Sequence, residues 1–170
     1  WKGYSTTKSS DSNIKYYINK TTHGTDHAWI SKNQIPKNSQ TANINKVYIP
    51  TSQGSEIQVL GYPFYGEPNS VCSQTYLVIG YDPAIHNFSK EQCLSIVSYI
   101  KTRFFRYLVS IKKKTQNGPR GVYQYVPVQN FGPSSDIDWE KPIPQIEEQL
   151  YQKYSLSSEE IAFIESIIRP

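Results

Sequence analysis

FSKEQCLSIVSYIKTRFFRYLVSIKKKTQNGPR, residues 88–120, is the stretch from which this chain is best read. Its apolar residues fall at Cys93, Leu94, Val97, Ile100, Phe104, Tyr107, Leu108 and Ile111. Steps of three and four are the period of an amphipathic α-helix. Ser89 suits an N-cap, and Gln92 stands where a capping box places Glu or Gln. Neither Gly nor Pro interrupts the run before Asn117-Gly118-Pro119. The spacing therefore predicts one helix from Lys90 to Lys114, roughly 35 Å long. A helix of that length crosses a whole small domain, and its wide apolar stripe requires a sheet or other helices to cover it. Its later turns are basic, with Lys101, Arg103, Arg106, Lys112, Lys113 and Lys114.

On the C-terminal side, Val122 to Val128 alternates in the manner of a strand. A polar segment from Phe131 to Lys141 follows. Pro144 then suits the first turn of a helix whose apolar face is Ile143, Ile146, Leu150 and Tyr154. Ser157 and Glu160 form a second capping box, opening a helix that ends near Ile168. On the N-terminal side, Ile14–Ile18 and His27–Ile30 read as short strands around turn residues Thr21–Asp26, able to pair as a hairpin. Ser31 to Asn45 reads as a polar loop. Lys46–Pro50 and Ile57–Leu60 are strand-like, and Ser73–Gly80 is expected to be the central strand. The prolines and glycines of 61–70 argue against regular structure there. The sum is an α+β fold: a mixed sheet of short strands packed on one long helix, with a C-terminal helical pair. Residues 1–45 read as an N-terminal hairpin and loop region of the same domain, 46–135 as the core sheet with the long helix, and 136–170 as a C-terminal helical tail.

With 170 residues the chain has the size of one domain. Its 14 Tyr carry much of the burial, since a Tyr buries a ring and keeps a polar tip. The net charge of +4 permits a nucleic-acid partner without demanding one. Cys72 and Cys93 stand alone, with no CxxC and no Cys/His metal spacing, as small core residues do in a reducing, cytoplasmic compartment. No apolar run approaches a membrane span, and no signal-peptide pattern is seen. The chain opens at Trp1 and has no Met, which reads as a piece of a longer protein.

Catalytic machinery is not evident. His23 and His27 with Asp26 suggest a metal only weakly, because Gly24 argues against the helix that would align the two imidazoles. Asp136, Asp138, Glu140 and Lys141 have the residue types of a metal-dependent nuclease. Their place before a helix is explained more simply by capping and dipole effects. There is no GxSxG, no phosphate-binding glycine loop, no GxGxxG and no Asn-Pro-Pro-Tyr-like tetrapeptide. The expectation is no catalytic residue, no metal and no cofactor in this domain.

The basic helix end is the better lead. Lys112, Lys113 and Lys114 supply cations for phosphates, and Gln116, Asn117 and Arg120 supply side chains able to read base edges. Lys20, Thr22, His23 and Lys32, around the first turn, form a second DNA-binding candidate. The plain alternative is a solvated helix end, since Lys there favours the macrodipole without any partner.

GEPNSVCSQTYLVIG, SYIKTRFFRYLVSIKKKTQ, VYQYVPVQNF, DIDW and LYQKYSLSSEEIAFIESIIRP, taken in order, resemble the C-terminal part of adenine-specific DNA methyltransferases. These belong to bacterial restriction–modification systems and include single-chain type IIG enzymes with a TaqI-like specificity domain. The resemblance runs from Lys46 to Pro170; before it, only SKNQIPKN is similar. It implies a target recognition domain, non-catalytic in isolation, with double-stranded DNA and an upstream methyltransferase domain as partners. That upstream domain would bind S-adenosylmethionine and methylate an adenine N6. The parent would be a site-specific adenine-N6 methyltransferase, with or without endonuclease activity. The resemblance assigns no contacts to individual residues. A metal-dependent restriction nuclease domain and a protein-interaction module are the alternatives.

Overall fold

The computed structural model describes residues 3–18, 27–52 and 59–169. The α+β expectation holds: two small three-stranded sheets and four α-helices are present among the described residues. The chain divides into two compact units, Trp1–Tyr48 with Phe64–Cys93, and Ile49–Pro63 with Leu94–Pro170. Among the described residues no helix is long and apolar enough to cross a membrane.

The first unit carries the strands. β1 (Ile14–Tyr17) pairs antiparallel with β2 (His27–Ile30), Ile14 opposite Ile30 and Tyr17 opposite His27, as the expected hairpin. The other edge of β1 pairs in parallel with β5 (Ser70–Cys72). In the second sheet, β3 (Lys46–Pro50) lies between β4 (Phe64–Gly66) and β6 (Tyr76–Ile79). The expected centre of the sheet is therefore corrected. β6 is an edge, and β3, buried from Lys46 to Ile49, is the middle strand. The segment 61–70 is also more regular than its prolines suggest. Pro63 precedes β4 and Pro68 falls in the turn before β5, so neither removes a ladder donor. Asn69 makes that turn with a positive φ of 64°, and its side-chain amide donates to the Asn13 carbonyl. The loop 31–45 contains two 3-10 turns, Lys32–Gln34 and Ser39–Asn43. Of the strand expected at Ile57–Leu60, residues 57–58 lie outside the described residues.

Aromatic rings hold this unit together. Tyr17, Tyr48, Phe64 and Tyr76 form a cluster with centroids 4.9–6.2 Å apart, which adds to their area burial. Gly66 is required beside them, because a Cβ there would stand 2.5 Å from the Tyr48 ring. Lys46 is fully buried, and its ammonium donates to the carbonyls of Ala42, Ile44 and Glu67. Its three donors thus meet three acceptors, and burial lowers its pKa to about 8.

Helices dominate the second unit. The single long helix expected over 90–114 is two: α1 (Lys90–Lys101) and α2 (Arg103–Lys112). Thr102 divides them. Its extended ψ of 148° leaves the helix, and its hydroxyl donates to the Tyr99 carbonyl while accepting from the Phe105 N–H. A β-branched residue with a competing hydroxyl is suited to this double role. Glu147 accepts from the Arg103 N–H, so two of the first N–H groups of α2 are satisfied by side chains. The apolar stripe is divided with the helix. Phe104 is buried, whereas Leu94 and Ile111 are exposed.

Ser89 and Gln92 make the expected capping box on α1. α3 (Ile143–Lys153) has Pro144 in its first turn and buries Ile146 and Leu150. α4 (Ser158–Ile167) begins at the Ser157–Glu160 box. The strand expected at Val122–Val128 does not form. Arg120–Tyr123 is a 3-10 turn with Val122 buried, and the Tyr123 ring lies 6.1 Å from that of Phe105. The Tyr99 hydroxyl and the Gln129 amide donate to the Pro127 carbonyl, giving it side-chain partners in place of a ladder.

Candidate nucleic-acid interface

The end of α2 and the loop after it bring six candidates into one short stretch. Lys113 caps the helix; its N–H donates to the Val109 carbonyl and its ψ of 101° carries the chain outward. Thr115 Oγ1 donates to the Asn117 carbonyl across the bend. Asn117 forms an antiparallel bridge with Ser52, and the buried Gly118 donates its N–H to the Thr51 carbonyl at 2.8 Å. The 3-10 turn then anchors the chain through Val122. The loop is thus fastened at both ends and at its middle, which lowers the entropy lost on binding.

Lys112, Lys114, Gln116, Asn117 and Arg120 are exposed on this fastened loop. Lys113 is half-buried, its Cε about van der Waals distance from where a Cβ on Gly118 would stand, and burial lowers its pKa. Forked, amide and ammonium side chains therefore occur within nine residues, on a backbone held by its own hydrogen bonds. Those are the groups that contact base edges and phosphates.

Two aromatic partners escaped the sequence reading. Lys112 Nζ lies 5.3 Å from the centroid of the exposed Tyr125 ring. Arg106 on α2 lies 5.8 Å from the ring of Tyr62, which is 61% exposed. Arg106 itself is only 3% exposed, and its Nε is buried without a hydrogen-bond partner. Among the described residues it forms no ion pair within 4.0 Å. Burial pushes its pKa down, against the opposing influence of Tyr62 and Glu147. Glu147 is engaged by Arg103, through its N–H and its guanidinium, and burial raises the Glu147 pKa. No periodicity marks these pairs, because Tyr62 and Arg106 meet only through the fold.

The second candidate cluster falls largely outside the described residues, which exclude Lys20, Thr22 and His23. Lys32 is described and exposed, on the first 3-10 turn of the first unit. His27 is half-buried on β2, with its ring 5.8 Å from Trp29. The acidic group before α3 is engaged locally. Asp136 lies 2.8 Å from Lys153 Nζ, and Asp138 accepts from the Glu140 N–H and lies 3.6 Å from Lys141 Nζ. Among the described residues no three of His, Cys, Asp and Glu are grouped to hold a metal ion.

No family model matches the chain, and no curated protein or solved structure matches it.

Proposed function

We propose that this chain is a sequence-reading module for double-stranded DNA, non-catalytic alone, of the kind joined to an adenine-N6 methyltransferase domain in restriction–modification enzymes. The observation that carries the reading is the fastened loop from Lys112 to Arg120, which presents cations and base-reading side chains side by side. The sequence resemblance from Lys46 to Pro170 supports the enzyme context. In that context S-adenosylmethionine belongs to the upstream domain, and this chain contributes recognition. Lys112 and Lys114 meet phosphates, while Gln116, Asn117 and Arg120 face base edges.

Selection from a duplex library with a randomised centre tests the reading. The chain should enrich one short motif, and binding should weaken steeply with added salt. Equal retention of all sequences would overturn sequence reading. Incubation with labelled S-adenosylmethionine and duplex should transfer no methyl group; transfer above a protein-free control would contradict the non-catalytic assignment.

A further inference from the structure

A guanidinium buried without a directly paired acid is costly, because it loses water and gains no contact ion pair in return. Arg106 is in that position: 3% exposed, with Nε unsatisfied and no carboxylate within ion-pair distance among the described residues. The ring of Tyr62, itself largely exposed to solvent, lies over it at 5.8 Å. Seven residues further along lies Lys113, which the helical repeat places on the same side of α2, about 10 Å away. Gly118, between Lys113 and Leu60, ties the chain leading to Tyr62 to that same side.

We propose that Arg106 is a phosphate-binding residue covered by Tyr62, and that it holds a phosphate oxyanion in line with Lys113. Taking the DNA backbone as the source of that phosphate rests on the function proposed above. The guanidinium supplies a planar set of N–H donors, the geometry that matches two phosphate oxygens. The anion supplies the direct contact that Glu147, engaged by Arg103, does not make, and the tyrosine ring turns aside or stacks on the neighbouring sugar or base.

Arg106→Gln tests this, because it keeps a polar, N–H-donating side chain at the site, although a shorter one, while removing the charge. Duplex binding is followed by fluorescence anisotropy across a salt series, and melting temperature is measured on the same samples. The expected result is about tenfold weaker binding, a salt slope lower by about one, and a melting temperature unchanged or raised. Unchanged affinity and slope would overturn the proposal. A melting temperature lowered by Arg106→Gln with the slope preserved in the folded protein would make Arg106 a structural residue and would overturn it equally. A second measurement, the Arg106 Nε–H resonance titrated with inorganic phosphate, separates this site from the DNA reading. If wild-type protein binds no duplex but phosphate shifts that resonance, the site stands and its phosphate comes from another source. If it binds no duplex and phosphate leaves the resonance unmoved, the site fails with it.

Discussion

Each unit of this protein buries a cation, and the two cations are treated in opposite ways. Lys46, in the first unit, has an acceptor for each of its three donors. Arg106, in the second, has an exposed tyrosine ring and an unsatisfied Nε. A lysine whose hydrogen-bonding capacity is filled fastens the backbone; it ties the 3-10 turn at Ala42, the start of β3 and the turn after β4. On the proposal above, the unsatisfied donor of the arginine is kept for a phosphate. Burial alone does not separate the two cations; the number of their donors that are satisfied does.

The largest effect should come from breaking the filled site. Lys46→Met strands three carbonyls while relieving the desolvation of one ammonium, for a net loss of about 3 kcal/mol. Urea denaturation measures it, and a loss below 1 kcal/mol would remove the distinction drawn between the two cations. Thr102→Ala comes next. It removes the α2 cap and a buried hydroxyl, and should cost about 1–2 kcal/mol by the same measurement.

A pH profile sharpens the comparison further. The folded pKa of Lys46, near 8, is below its ordinary 10.5. Between those values the unfolded chain binds more protons than the folded one, so this lysine's contribution to stability rises with pH. The stability gap between wild type and Lys46→Met should therefore widen from pH 8 to pH 10. Cys93, Tyr123 and Tyr151 act in the other direction, since burial raises their pKa values to about 11, 12 and 12. Their stabilisation is complete below the unfolded pKa values and is lost as pH rises above them, so total stability should fall at high alkalinity. A gap that stays constant across pH 8–10 would show that Lys46 titrates normally.

The smallest change in overall binding should accompany Arg120→Ala. Its effect should fall on preference at one base pair, by roughly 1–3 kcal/mol, with little change at other positions. Titration on matched and singly mismatched duplexes reads it; uniform weakening on all duplexes would reassign Arg120 to a phosphate.

Local signals were the legible ones. The Ser89–Gln92 and Ser157–Glu160 boxes and the β1–β2 hairpin each depend on residues close in sequence, and each formed as read. The split of the long helix was hidden because Thr102 interrupts no apolar position; only its hydroxyl, engaged at both Tyr99 and Phe105, reveals the break. β4 and β5 have three residues each, too few to show a period, and the parallel pairing of β5 with β1 joins distant segments. Val122–Val128 shows the converse: alternation without a sheet edge to receive it becomes a 3-10 turn and loop. The basic loop was legible as a cluster because its members are neighbours in the chain. Tyr62 was not, since only the fold brings it to Arg106.

Salt dependence is the most direct test of the central claim that the loop from Lys112 to Arg120 engages DNA. Duplex affinity is measured over a range of salt for wild type and for the Lys112→Ala/Lys114→Ala double variant, with folding verified by melting. The account predicts a logarithmic slope shallower by about two in the double variant, with affinity reduced on every sequence alike. A slope and affinity equal to those of wild type would mean that this loop faces away from DNA and that its lysines are a solvated helix end.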